Sequence, residues 1–397
     1  MTVYIIIQTV LLVLLSLATA YILVFALAGL FYKEKPYGTP GRFRKVAVLI
    51  PGYKEDAVIV EVATAALKQQ YPQGLFDVVI IADSFQPSTI EKLKSIPVKL
   101  IEVSFEKSTK SKALNKAMEQ LGDGYEITVV LDADNIMAPD FLNKVNTAFD
   151  NGFIAVQGHR TAKNINNSWA VLDAVSEEIN NHIFRKGHRV LGLSSAIIGS
   201  GMAFDYHFFK NMMSSVHAVG GFDKEIELKM LKQGVTIAYL DDAMVYDEKI
   251  QQPDVFSNQR RRWLSAQVHY FRNGFTDAFK DLITKGNADY FDKAIQFIQP
   301  PRILLLGAVM LLSVIFISLN YLLYSQLILS AGWLATATAC IAALLLSIPR
   351  SHYNTRTMAA ISGLPKGMLL MMLSLLKIKG ANKTFIHTKH TASSNSI

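Results

Sequence analysis

Residues 127 to 134 read Ile-Thr-Val-Val-Leu-Asp-Ala-Asp. A short run of β-favouring, apolar residues stops at two carboxylates set one residue apart. Such continuous runs suit strands of a parallel sheet covered on both faces. Two earlier runs share the form: Val46-Ala47-Val48-Leu49-Ile50 before Pro51, and Val78-Val79-Ile80-Ile81 ahead of Asp83. Helical stretches separate them, Asp56 to Gln69 and Lys110 to Leu121 among them. The alternation predicts an α/β fold, a doubly wound and mostly parallel sheet. Ligands of such sheets sit beyond the carboxyl ends of the strands. Asp83, Asp132 and Asp134 lie at those ends.

Composition sets the surroundings of this domain. The chain has 397 residues, of which 51% are hydrophobic. Its mean hydropathy is +0.25, so apolar residues are expected to concentrate in membrane spans. The one cysteine, Cys340, lies in an apolar run. A disulfide framework is therefore excluded, and the catalytic part is expected in the cytosol. The formal net charge is +8. No basic cluster interleaved with aromatics accompanies it, so nucleic acid is not an expected partner. Membrane lipid headgroups and a diphosphate substrate account for the charge better.

Val3 to Phe31 is almost uninterrupted apolar sequence, and about 20 such residues span a bilayer. Its length, the lack of a positive start and the lack of a small-residue cleavage site favour a retained helix over a signal peptide. Lys33, Lys35, Arg42, Arg44 and Lys45 follow. The positive-inside rule then places the next domain in the cytosol, on an integral plasma- or inner-membrane protein. The expected division is a transmembrane helix over 1–32 and the α/β domain over 45–250. Basic and interfacial helices follow over 251–301, with Tyr290 to Phe297 at the membrane surface. A transmembrane hairpin follows over 302–349, its two apolar runs flanked by Arg302 and Arg350. Residues 357–390 read as an amphipathic interfacial helix with a basic tail that includes Lys377, Lys379 and Lys383. A span there would put that tail outside. Thr391 to Ile397 read as a disordered end.

Asp132 and Asp134 are the first candidate site. Two carboxylates at a strand end can jointly serve one hard cation, Mg2+ or Mn2+, with positions left for phosphate oxygens. A solvated turn is the plain alternative. Asp83 could accept from a nucleobase edge or simply cap a helix; Glu55 and Asp56, after Pro51-Gly52-Tyr53, share that ambiguity. Gln259-Arg260-Arg261-Arg262-Trp263 is the second strong signal. On a helix, Gln259, Arg262 and Trp263 project to one side. Arginine suits a diphosphate, and tryptophan offers a face for a sugar ring. A basic helix held by lipid is the alternative. Asp223, Glu225 and Glu227 start a predicted helix, either favouring its dipole or supplying a general base. Gly199-Ser200-Gly201 allows a close backbone approach to a substrate, or makes a turn.

Together these pieces resemble the processive-type membrane members of glycosyltransferase family 2, which include cellulose, chitin, hyaluronan and poly-N-acetylglucosamine synthases. The resemblance covers about residues 45 to 270. Pro51-Gly52-Tyr53-Lys54-Glu55-Asp56 is similar to the family's first nucleotide-contacting loop, and Asp83 to its uracil-binding aspartate. Lys110-Ser111-Lys112-Ala113-Leu114-Asn115 resembles the Lys-x-x-Ala-Leu-Asn segment near the donor. Asp132 and Asp134 match the metal and diphosphate motif, with Asp134 implied as the direct ligand. Gln157 and Arg160 sit where the family often has a polar strand after that motif. Gly199-Ser200-Gly201-Met202 resembles the acceptor-site segment. Gln259, Arg262 and Trp263 match the Gln-x-x-Arg-Trp signature, and Lys383 to Lys389 a basic segment after the last helix. The family's Thr-Glu-Asp triplet is replaced by Asp223-Lys224-Glu225. The expected spans are also fewer than a polysaccharide channel uses.

The resemblance implies a GT-A-type domain and an inverting, metal-dependent glycosyltransferase. It implies Glu225, Arg262, Trp263 and Gln259 as catalytic residues. Donor contacts would come from Tyr53, Glu55, Asp83, Lys110, Lys112 and Asp132. Gly199, Ser200, Gly201 and Trp263 would meet the acceptor, and Asp132 and Asp134 the Mg2+ or Mn2+. The donor would be a nucleotide sugar, with UDP expected, and the acceptor the hydroxyl of a growing polysaccharide. Three alternatives stay open: transfer of one sugar to a lipid-linked acceptor, an inactive transport or scaffold protein, and a soluble-type nucleotide-binding regulator, against which the three apolar spans argue. The sugar, the oligomeric state and any partner subunit have no sequence signature here.

Overall fold

β1 (Val46–Tyr53) sends alternate residues into two cores: Ala47 and Leu49 into one, Val46, Val48 and Ile50 into the other. All five are fully buried, as a strand covered on both faces requires. The computed structural model describes residues 1–34, 38, 40–218 and 220–377, apart from the side chain of residue 254. The expectations on Lys35, Lys379, Lys383–Lys389 and Thr391–Ile397 fall outside these residues.

Seven more strands follow in chain order: β2 (Phe76–Asp83), β3 (Lys99–Val103), β4 (Ile127–Val130), β5 (Ile136–Met137), β6 (Ala155–Ala162), β7 (Met202–Asp205) and β8 (Ala238–Asp247). They form one sheet in the order β3-β2-β1-β4-β7-β6-β8-β5. The first four are mutually parallel, and their register sets Tyr53 beside Asp83 and Leu49 beside Val130. The three sequence-predicted strands therefore end along one edge. β7 runs antiparallel to both β4 and β6, while β6 pairs parallel with β8 and β5 pairs antiparallel with β8. The mostly parallel doubly wound sheet is present, with an antiparallel half attached. Helices Lys110–Gln120, Tyr206–Met213 and Phe222–Lys232 cover one face; Ile59–Ala66 and Phe141–Asp150 cover the other.

Among the described residues, three helices are long and apolar enough to cross a membrane: Thr2–Gly29, Arg302–Tyr324 and Leu327–Leu346. Asn320 joins the far ends of the bundle. It accepts from Tyr4 Oη at 2.7 Å, exchanges amide hydrogen bonds with Gln8 and donates to Ser330 at 3.1 Å. After the last span, Thr355–Ile361 and Leu364–Leu376 meet at 52°. Met371 of the second packs with Phe256 and Leu264 of the long Pro253–Lys285 helix.

The 28-residue first helix is about 42 Å long at 1.5 Å per residue, against a hydrocarbon core of about 30 Å. Its surplus turns meet protein. Phe25, Ala26, Ala28 and Gly29 are buried against the π-helix Asn181–Gly187, and His182 Nε2 lies 2.8 Å from the Ala26 carbonyl. A Cβ at Gly187 would lie 2.2 Å from the Phe25 carbonyl oxygen. Gly187→Ala is therefore expected to cost about 1–3 kcal/mol by overpacking. Thermal unfolding in detergent checks it, with Gly124→Ala, where a Cβ meets open space, as the near-neutral control.

Candidate active site

Leu131 still donates its N–H to the Leu49 carbonyl, at 3.0 Å. The next amide, Asp132, has left the strand and donates instead to the hydroxyl of fully buried Ser200, at 2.9 Å. Ser200 sits in a loop that leads into β7, between glycines at φ +80° and +61°. Left-handed conformations favour glycine, and a Cβ at Gly201 would also press within 2.8 Å of Val245. Gln157 secures the loop from β6. Its Oε1 accepts from Ile198 at 3.1 Å, and its Nε2 donates to the Ser200 and Gly201 carbonyls at 3.1 and 3.2 Å. Lys110, at the start of its helix, bonds to the Asp132 carboxylate and donates to the Gly199 carbonyl at 2.7 Å. Lys110, Asp132, Gly199, Ser200 and Gly201 thus converge, as do Gln157 and β4.

Asp134 is 4% exposed and lies next to fully buried Asn135. With the Asn135 amide turned to meet acceptors, its nitrogen donates to Asp134 at 3.2 Å and to Asp247 at 2.9 Å, and its oxygen accepts from Ser200. Asp247 pairs in turn with Lys249 at 2.8 Å and lies 3.7 Å from Arg160. Arg160 pairs with Glu177 at 2.9 Å, and Arg185 lies 3.5 Å from Glu177. Burial works against every one of these charges. For Asp247 and Glu177 the neighbouring cations outweigh it and hold the carboxylates below their usual range. The two carboxylates likewise hold Arg160 and Lys249 above theirs. Among the described residues, no group of three or more His, Cys, Asp or Glu is arranged as a metal site. Asp132 and Asp134 supply two oxygen-bearing groups, and the cationic Lys110 already rests on one of them. That donor set fits Mg2+ or Mn2+ only with phosphate oxygens and water completing the shell.

The edge beside it holds the other expected donor residues. Asp83 is 2% exposed and accepts from Ser84 Oγ at 2.9 Å. Lys54 and Ser84, the residues after β1 and β2, both take positive φ, 55° and 60°. Strained backbone of this kind gathers at functional sites. Glu55 is buried, and its carbonyl starts a helical turn by accepting from Val58 and Ile59. The Asp56 carboxylate accepts from Gln86 N at 2.8 Å. Lys112 points away, donating to the Lys107 carbonyl at 2.9 Å.

The three acidic residues of the Phe222–Lys232 helix take different partners. Glu225 pairs with Lys229, one helical turn on, at 2.8 Å, and both are partly buried. Asp223 faces the loop: a Cβ on Gly199 would lie 3.8 Å from its carboxyl carbon. Glu227 is buried. Asp223 is thus the acidic side chain turned to the loop that holds Lys110. The Glu225 to Lys229 pairing follows from the sequence spacing, since residues four apart on a helix neighbour each other. In the Pro253–Lys285 helix, Arg260 pairs with Asp173 at 2.6 Å and stacks on Trp263 at 4.4 Å. Trp263 is 37% exposed. Gln259 and Arg262 are half-buried, and burial lowers the Arg262 pKa.

The family model described as Glycosyltransferase like family 2 matches residues 42–266. Glucans biosynthesis glucosyltransferase H of Rhodopseudomonas palustris strain TIE-1 is 29% identical over 124 residues, and the protein of the same name from strain ATCC BAA-98 / CGA009 is equally so. The match covers 28% of this chain and only 17% of the length of those relatives. Among solved structures, mannosyltransferase PcManGT of Pyrobaculum calidifontis, in complex with GDP-Man and Mn2+, is 17% identical with a TM-score of 0.52. The match covers 85% of this chain and 98% of that one. It shares the GT-A fold.

The charges beside the site carry a pH signature. His159, next to Arg160 in β6, lies between Asp241 at 2.9 Å and Glu178 at 3.1 Å. Burial lowers its pKa, but hydrogen bonds from its ring to the two carboxylates outweigh this and raise it to about 9. Its stabilising contribution is complete below the ordinary histidine value of 6.5 and is lost as pH rises through about 9. The melting temperature is expected to fall from pH 7 to 10, and His159→Gln to lower it at pH 6.5 and flatten that fall.

Proposed function

The chain belongs to glycosyltransferase family 2, and from that premise we propose that it is an inverting membrane glycosyltransferase acting on a nucleotide-diphospho-sugar. The observation that carries the reading is the convergence of Lys110, Asp132 and the Gly199–Gly201 loop at the strand edge, with Asp134 fixed beside them. Asp132 and Asp134 would hold Mg2+ or Mn2+, which when bound neutralises charge growing on the departing diphosphate. Lys110 exchanges its carboxylate partner for donor phosphate oxygens. Asp83 and Tyr53, side by side in register, take the nucleoside, and Arg262 adds positive charge on the leaving-group side. Trp263 positions the acceptor sugar.

The base is the one role moved from its expected residue. A base must reach the acceptor hydroxyl, and Asp223 is the acidic residue beside Gly199 that is not fully buried. The acceptor hydroxyl gives its proton to Asp223 and attacks the anomeric carbon from the face opposite the leaving group. The acceptor is a growing polysaccharide; the glucan-biosynthesis name of the relatives supports this over a lipid. UDP-sugars are the first donors to test and GDP-sugars the second. The catalytic domain faces the cytosol, where nucleotide sugars are made; Lys33, Arg42 and Arg44 after the first span support that side.

The test is a screen of nucleotide sugars with Mg2+ or Mn2+ on the membrane-embedded enzyme, followed by product sizing. A ladder supports polymerisation, and a single glycolipid moves the assignment to the lipid acceptor. Asp223→Asn is expected to lower turnover by about 10²- to 10⁴-fold, the usual worth of a general base. Glu225→Gln is expected to stay near wild type. The reverse pattern returns the base to Glu225.

A further inference from the structure

We propose that Lys293 and Glu227 are positioning residues for the donor site. Their buried ion pair fixes the backbone at Ile197, and through it the loop on which Lys110 and Asp132 meet. The inference rests on the donor-site reading above.

Glu227 lies in the Phe222–Lys232 helix and Lys293 in Ala288–Ile298. They are 2% and 5% exposed, with Nζ 2.7 Å from Oε1. The same Oε1 accepts the Ile197 N–H at 3.2 Å. From there each successive residue is tied to the site. Ile198 N donates to Gln157, the Gly199 carbonyl accepts from Lys110, and the Ser200 hydroxyl accepts from the Asp132 amide. Two glycines at positive φ give this loop little stiffness of its own, so its place is set from outside. A buried ion pair is also a poor source of stability compared with apolar packing. Its presence here is better explained by what it holds.

Helix Ala288–Ile298 is itself tied to the membrane end of the fold. Asp292 accepts from Tyr21 of the first apolar helix at 2.7 Å and pairs with His188 at 3.1 Å. Asp289 accepts from the Ser194 N–H at 2.8 Å. One short helix therefore grips the first span, the start of the loop segment and the acidic helix. Glu227 also shares its helix with Asp223, so the pair sets the base and the loop together.

The experiment uses the full chain in detergent or nanodiscs, with Lys293→Met, Glu227→Gln, their double variant and Lys293→Arg. Two readouts are taken: the Mn2+ dependence of UDP and GDP binding, and amide hydrogen exchange across residues 194–201 without ligand. Both single variants are expected to weaken apparent Mn2+ affinity by about 10- to 100-fold, as when groups that orient metal ligands are removed. The double variant should be no weaker than the worse single, because the residues act as one unit. Lys293→Arg should recover most of the loss, and exchange at 194–201 should rise in both singles. If Lys293→Met does not accumulate, Glu227→Gln keeps side-chain volume and an oxygen for Ile197 and carries the same expectation. Unchanged exchange at 194–201 overturns the proposal, even if the melting temperature drops. So does unchanged metal dependence in variants of an enzyme that binds nucleotide. If the wild type binds no nucleotide with Mn2+, the donor-site reading fails, and exchange at 194–201 alone decides the positioning role.

Discussion

A single buried hydroxyl sets the geometry of the strand edge. Where β4 leaves the sheet, the Asp132 amide loses its strand partner, and Ser200 accepts it. Leaving such an amide unpaired would cost about 1–3 kcal/mol. Ser200 is in position only because β7 runs antiparallel beside β4, which brings the Ile197–Gly201 loop to the edge from the other half of the sheet. The antiparallel strand is thus what closes the site. A purely parallel sheet would carry the two aspartates on an open turn.

Behind that hydroxyl lies a chain of alternating charges. Asn135 links Asp134 to Asp247, and Lys249, Arg160, Glu177 and Arg185 continue inward. Three cations face two carboxylates in the inner part of this chain. Burial penalises each charge, so removing one member leaves its partner stranded. Asp134 is therefore held by a structure that tolerates little change, whereas Lys110, at the solvent side, is the member able to change partners.

Much of this was legible from the residues. The runs ending at Pro51, Asp83 and Asp132 marked three strands and their common edge, because parallel strands buried on both faces are apolar throughout. β7 escaped notice: at four residues, Met202–Asp205 has no pattern that separates it from a turn. Lys249 and Lys293 also gave no signal, since lysine is exposed by default and only tertiary pairing buries it. Asp223 and Glu225 differ by helical phase: Glu225 meets Lys229 one turn later, and Asp223 lies beside Gly199. Lys112, two residues on from Lys110 in the same helix start, leaves the helix on another face and meets the Lys107 carbonyl.

The hydrogen bonds at the far end of the membrane bundle also order events in time. Gln8 and Asn320 are 312 residues apart in the chain. At about 5–20 residues per second, the first helix waits roughly 15 s to a minute after its synthesis before its amide partner exists. During that interval the Gln8 side chain must find water, lipid headgroups or an insertion factor. The catalytic domain is complete before the bundle is, so its first contact with the Thr2–Gly29 helix, at Gly29 and Gly187, is made on a single tether. The final hairpin then closes an arrangement whose other end, at the catalytic domain, is already set.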